Sequence, residues 1–248
     1  MKFIDTHIHL QDYKSKSATK IIEESQAAGV EKFICASTSE NDWDSVAALY
    51  ERFPDRVIPA FGLHPWSACK VLPGWEQRLA ARLEQYPSAL VGECGLDRYR
   101  DKNLQPQNEI FAAHIEIAAA CRRPLLIHAV KAWDWLENYW AKLPPKFVFH
   151  SYNGRGEILK KIIARGGYVS FSASILKSPH RQETVAAVPA ERLLLETDGP
   201  YQPAEGLSES SPLFLPRLND EIAALRGENP ENLSARIYKN SLEFIKPW

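Results

Sequence analysis

Eight short apolar runs, each separated from the next by a helix-sized amphipathic stretch, constrain this chain most. They occupy residues 2–10, 32–37, 57–64, 90–97, 124–130, 146–152, 168–174 and 192–198. The runs read as near-continuously apolar, as strands do when both faces of a parallel sheet are covered. Helical patterns fill the gaps. Trp43, Val46, Ala47 and Tyr50 recur at helical spacing after Asn41, which is expected to cap that helix. Pro106 suits the first turn of a helix carrying Ile110, Phe111, Ile115, Ala118 and Ala119 on one side. Gly29 and Gly166 fall where helices must stop before the next strand. Alternation of this kind in 248 residues describes an α/β fold, the (β/α)8 barrel, which usually takes ~250 residues. An open doubly wound sheet shares the alternation, but no G-x-G-x-x-G follows the first run. Two closing helices are expected over 212–226 and 230–245. No linker, repeat or low-complexity tract intervenes, so residues 1–248 are expected to form one domain.

Charge and cysteine usage narrow the class. Lys plus Arg number 30 and Asp plus Glu 31, a net charge of −1, so no global positive field draws in nucleic acid. A polyanionic substrate would need local cations or bound metals. Cys35, Cys69, Cys94 and Cys121 form no C-x-x-C pair and read as thiols in a reducing compartment. No apolar run reaches membrane-spanning length, and a strand starting at residue 3 leaves no room for a leader. A cytoplasmic protein with no membrane contact and no obligate protein partner is expected.

The chemistry lies where the runs end. His7 and His9 close the first run. In a strand, residues i and i+2 share one face, so the two imidazoles converge on one point. Asp5 shares that face and is placed to orient one imidazole. The third run ends at His64 and the eighth at Asp198, His128 and His150 stand two positions before the ends of the fifth and sixth, and the fourth contains Glu93. In a barrel these C-terminal ends form one ring around the mouth. Taken singly, each reads as readily as a core or rim residue; Glu93 could pair with Arg98 or Lys131, and Asp198 could serve a turn before Gly199-Pro200. Recurrence at five strand ends makes a shared metal site the stronger reading, since imidazole and carboxylate are metal ligands. His114 and His180 end no strand and are read as packing or surface residues. Glu196 faces either the layer below the site or away from it. The segment 199–211 follows the eighth run and should lie over the mouth.

The same pieces, in the same order, resemble the TatD family of metal-dependent deoxyribonucleases, within the amidohydrolase superfamily. They are Asp5-Thr6-His7-Ile8-His9-Leu10, Gly62-Leu63-His64-Pro65, Gly92-Glu93-Cys94-Gly95-Leu96-Asp97, Pro124-Leu125-Leu126-Ile127-His128, Phe149-His150 and Leu194-Leu195-Glu196-Thr197-Asp198-Gly199-Pro200-Tyr201. Asn240-Ser241-Leu242-Glu243-Phe244 matches near the C-terminus. The resemblance implies a binuclear site with two divalent metal ions. His7, His9 and Asp198 would hold the first, His128 and His150 the second, and Glu93 would bridge them. Catalytic roles fall on Asp198, Glu93 and His64, with His64 also touching substrate. The implied reaction is exonuclease-type phosphodiester hydrolysis by a metal-activated water, with Asp198 taking its proton. Four imidazoles favour Zn or Mn by ligand preference, whereas the nuclease resemblance implies Mg-supported activity.

The substrate ring departs from the family. Ala129-Val130 follow His128 where many members carry Ser and Arg. Ser151-Tyr152-Asn153-Gly154 replace a Cys-Phe-Ser-Gly pattern after His150, and no basic residue lies between Asp198 and Arg217. Phosphate contacts are therefore expected from Arg98, Lys131 and Arg155, with Arg100 and Lys102 nearby. Tyr152 and Tyr201 are the expected base-stacking residues. DNA ends are the expected substrate. The alternative keeps the same site for a small ester, phosphate ester or cyclic amide.

Overall fold

The structure, a computed structural model, describes residues 1–154 and 156–248, so the expected contact Arg155 lies outside the described residues. Its strands are β1 (Phe3–Ile8), β2 (Val30–Ala36), β3 (Val57–Phe61), β4 (Leu90–Asp97), β5 (Leu125–Val130), β6 (Phe147–Phe149), β7 (Tyr168–Phe171) and β8 (Leu193–Leu195). They pair in parallel and in chain order. The last strand then meets the first. Asp198 N donates to His7 O at 2.9 Å, and His9 N donates to Gly199 O at 2.7 Å. Thr6 Oγ1 donates to Leu195 O at 2.9 Å. The sheet is thus the wall of a (β/α)8 barrel, as the alternation predicts. Each expected run holds one strand, although β2 begins at Val30 rather than residue 32.

Around it lie α1 (Ala18–Ala27), α2 (Glu40–Arg52), α3 (Trp75–Gln85), α4 (Gln105–Cys121), α5 (Trp133–Leu136), α6 (Gly156–Ala164) and α7 (Arg181–Ala187). The closing helices are α8 (Leu215–Arg226) and α9 (Pro230–Phe244). Pro106 does sit in the first turn of α4. Gly29 and Gly166 adopt the left-handed φ values of 79° and 77° that end a helix cleanly. The expected cap of α2 is corrected: Ser39, not Asn41, is its N-cap. Asp42 decides this, because its carboxylate accepts from the amides of both Thr38 (2.9 Å) and Ser39 (3.1 Å).

Two apolar layers hold the barrel. Ile34, Ile58, Leu90, Leu126, Val148 and Leu194 cluster inside it, with Phe244 of α9 packed against Tyr168 beneath them. A larger cluster, including Phe33, Phe61, Phe111, Phe147 and Phe171, fills the space between sheet and helices. Each such buried side chain contributes ~1.5–3 kcal/mol, so stability resides in this packing. Strand alternation then lifts polar residues above the inner layer: His128 follows Leu126 by two positions, and His150 follows Val148 likewise. Among the described residues no helix is long and apolar enough to cross a membrane.

Candidate metal centre at the barrel mouth

The six side chains expected as ligands come together at the C-terminal end of the barrel. His7 Nε2 and His9 Nε2 lie 3.2 Å apart. Asp198 Oδ1 stands 3.7 Å from the first and 3.3 Å from the second. Across the mouth, His128 Nδ1 and His150 Nε2 are 3.1 Å apart. Glu93 lies between the two groups. Its Oε2 is 3.3 Å from His7 Nε2 and 3.5 Å from His9 Nε2. Its Oε1 is 2.9 Å from both His128 Nδ1 and His150 Nε2. One carboxylate therefore meets two donor sets with separate oxygens. His64 Nε2 stands beside it, 3.6 Å from Oε1.

The approach depends on missing side chains in the motif Gly92-Glu93-Cys94-Gly95. A Cβ on Gly95, whose φ is 141°, would fall 2.0 Å from the carbonyl oxygen of His128. A Cβ on Gly62 would fall 2.6 Å from the Gly92 backbone. Glycine lets β3 and β5 close on β4, which brings His64 and His128 to Glu93.

The outer imidazole nitrogens are also held. His9 Nδ1 lies 2.9 Å from Ala36 O, a carbonyl that can only accept. His128 Nε2 lies 3.2 Å from Asp97 Oδ2. His150 Nδ1 lies 3.3 Å from Glu196 Oε1. Each oxygen takes the outer N–H, so the inner nitrogen faces the centre in the form that ligates a metal. The exception is His7, whose Nδ1 is buried with no hydrogen-bond partner.

Charge completes the case for a cation. Burial resists ionisation of Glu93, yet the imidazoles of His150, His64 and His7 hold it well below the usual carboxylate range. Burial likewise opposes charge on His9, but Asp198 and Glu93 pull its pKa up to about 9. His150 is raised well above the ordinary histidine value by Glu93 and Glu196, against its burial. Buried carboxylates here gather protons onto imidazoles. A dication fits the same place, because it replaces those protons at the inner nitrogens. His64 behaves differently. Burial, aided by His128 and His9, pushes it down to about 3. Its Nδ1 accepts from Trp66 N at 3.1 Å, so the proton sits on Nε2 and points to the centre.

A cleft of about 650 Å³ opens above these residues, with Trp66, Tyr99, Tyr201 and Gln202 on its walls. Tyr201 is half exposed, with its hydroxyl donating to Asp12 Oδ2 at 3.0 Å. Arg98 is paired with Asp134 Oδ2 at 2.7 Å. Lys131 Nζ lies over the Tyr99 ring, 4.9 Å from its centroid. Tyr152 is corrected: it is buried rather than open for stacking. Gly154 folds onto its ring, and Trp133 packs 5.8 Å away at an angle of 70°. Asp5 is corrected too. Among the described residues it makes no hydrogen bond to an imidazole ring and instead accepts from Thr197 N at 3.0 Å, Thr197 Oγ1 at 2.6 Å and the backbone amide of His7 at 3.4 Å. His114 is a packing residue, fully buried.

Sequence reasoning missed three residues. Asp97 ends the fourth run as His64 and Asp198 end theirs, a signal that Glu93 in the same run overshadows. Trp66 Nε1 donates to the same Asp97 Oδ2 at 2.7 Å. Gln202 Nε2 donates to Asp198 Oδ2 at 2.6 Å, a contact with no signal in the sequence. Glu196, left open above, lies in the layer below the site. There it accepts from Ser151 N at 2.7 Å and from Ser170 Oγ.

The chain is similar to proteins of known lineage over nearly its whole length. The family model described as TatD related DNase matches residues 4–246. The 3'-5' ssDNA/RNA exonuclease TatD of Salmonella typhimurium is 28% identical over 240 residues, covering 92% of each protein. An uncharacterized metal-dependent hydrolase of Methanocaldococcus jannaschii is 27% identical, covering 99% of this chain and 98% of the relative. Among solved structures, the TatD homologue YJJV of Escherichia coli K12 superposes with a TM-score of 0.90 at 26% identity. That match covers 98% of this chain and 97% of the other. A match that runs from the first strand into the last helix, joined to a superposition over nearly the whole barrel, places this chain in the TatD-related DNase family.

Proposed function

We propose that residues 1–248 act as one metal-dependent phosphodiesterase domain that shortens single-stranded nucleic acid from an end. The observation that carries this is the position of Glu93, whose two oxygens face separate donor sets. His7, His9 and Asp198 would hold one divalent ion, His128 and His150 a second, and Glu93 would bridge them. Bound there, two such ions supply Lewis-acid activation of water and neutralise charge on the phosphoryl group. Zn and Mn suit the imidazoles, and Mg suits the carboxylates. The names of the relatives support nucleic acid as substrate.

The chain's own residues do the rest. Asp198 accepts the proton of the attacking water; Gln202 anchors its Oδ2, which leaves Oδ1 turned to the centre. His64 remains neutral and donates from Nε2 to a phosphoryl oxygen as charge develops there. The four cysteines are free, which suits the cytoplasm.

End-labelled single-stranded DNA and RNA, incubated with Mn or Mg, test the reading. Stepwise shortening from one end is expected. No shortening with either metal, alongside turnover of a small ester, phosphate ester or cyclic amide, would replace it with the small-substrate alternative.

A further inference from the structure

We infer that the cleft carries a two-step platform for unpaired nucleotides, made of the pairs Trp66–Arg100 and Tyr99–Lys131. The inference rests on the nuclease reading above. Strongly exposed large aromatics are few among the described residues: Trp66 at 50%, Tyr99 at 74% and Tyr201 at 49%. All three line the cleft over the candidate centre. Rings that serve packing are buried. Three left open in one cleft present π-faces to whatever enters it.

Each of the first two rings has a cation laid on it. The Arg100 guanidinium carbon sits 4.4 Å from the centroid of the Trp66 ring, and Lys131 Nζ sits 4.9 Å from that of Tyr99. Among the described residues, neither Arg100 nor Lys131 forms an ion pair with a carboxylate. Arg98, close by in sequence, is spent on Asp134. A ring face and an unspent positive charge side by side match what one unpaired nucleotide offers: a base face and a phosphate. The cation moves to the phosphate, and the base takes the ring. A duplex keeps its base faces against each other and cannot use such a surface.

The platform also has an order. Trp66 is fixed before anything binds: its indole N–H is held by Asp97 Oδ2 at 2.7 Å, and His64 stands edge-on 4.9 Å away. Its base therefore belongs to the nucleotide beside the reacting phosphate. Tyr99 is tied to Asp97 by its backbone amide, at 2.8 Å, and serves the next nucleotide outward.

The test pairs a change in the protein with a change in the substrate. Fluorescence anisotropy in chelator, with a dye-labelled single-stranded oligonucleotide, reads binding without turnover. KM is read with Mn on the same oligonucleotide and on one whose two terminal nucleotides lack bases. Wild-type protein should lose roughly ten-fold or more on the abasic strand, by the usual scale of base–aromatic stacking. Tyr99→Leu should bind the normal strand roughly ten-fold more weakly and discriminate far less against the abasic one. Tyr99→Phe should behave as wild type. Lys131→Ala and Arg100→Ala should each flatten the salt dependence by roughly 0.7. Leu72→Ser, an exposed residue away from the cleft, should change none of these. Equal handling of both strands by wild type, or an equal loss on both in Tyr99→Leu, would overturn the platform while leaving the nuclease reading intact. Wild-type protein that neither binds nor shortens any strand would fail the nuclease reading first, before any variant is made.

Discussion

Asp97 Oδ2 lies 3.2 Å from His128 Nε2 and takes its outer proton. The carboxyl is held down to about 2, because His128 and Trp66 outweigh its burial, so it is charged at any working pH. It sets both the tilt of the ring and which nitrogen faces Glu93. Asp97→Asn should therefore weaken metal binding at the His128–His150 set by ~10–100-fold, with the other set less affected. Metal titration of the apoprotein reads this directly. Two sets that fill as in wild type would remove Asp97 from the site.

Asp198→Asn separates ligation from proton transfer. An amide oxygen can still coordinate, but it cannot take up a proton. Turnover should fall ~10²–10⁴-fold while metal content falls much less. Near-native kcat in this variant would place the base elsewhere. His64 is then a poor substitute, because its Nδ1 is already engaged by Trp66 N at 3.1 Å.

Chelation should abolish activity without unfolding the barrel. Leu126, Val148 and Leu194 pack below the polar layer whatever lies above them. Calorimetry with and without chelator should show a cooperative transition in both, shifted but present. Glu93→Gln should lower occupancy of both donor sets together. Loss of one set alone would refute the bridge.

His114 predicts a pH dependence of stability. Its Nδ1 lies 2.7 Å from Ile110 O, and its Nε2 accepts from Leu63 N at 3.2 Å, so it is neutral in the fold. Burial pushes its pKa down to about 4. The unfolded chain binds a proton near pH 6.5, whereas the native chain does not. Stability should thus be full above about 6.5 and fall on acidification toward about 4, by ~3 kcal/mol from this group. Denaturant titrations across that window should show a slope shallower by about one proton in His114→Gln. An unchanged slope would remove this role.

The ring of candidate ligands was legible because each lies within or near the end of an apolar run, where strand alternation and barrel topology send its side chain to one place. What followed the strands was less so. Tyr152 sits after Ser151, whose left-handed φ of 45° turns the chain and buries the tyrosine. No periodicity records such a turn. Trp66 and Tyr99 carry no sign in the sequence that they stay exposed while most aromatics are buried. Asn41 lost the cap of α2 to Ser39 because Asp42 reaches back to two amides, a contact of side-chain reach rather than composition. Asp97 was readable, since it ends its run just as Asp198 does.

The seam between β1 and β8 has a consequence for how the protein is made. Asp5 and Thr197 stand 192 positions apart, and Thr6 and Leu195 stand 189 apart. Contacts so distant in sequence require closure of nearly the whole chain, and such contacts form slowly. Until β8 docks, His7 and His9 are an isolated pair without Asp198. Assembly of that trio is accordingly tied to closure of the seam, and the mouth takes its shape only once the two ends of the barrel have met.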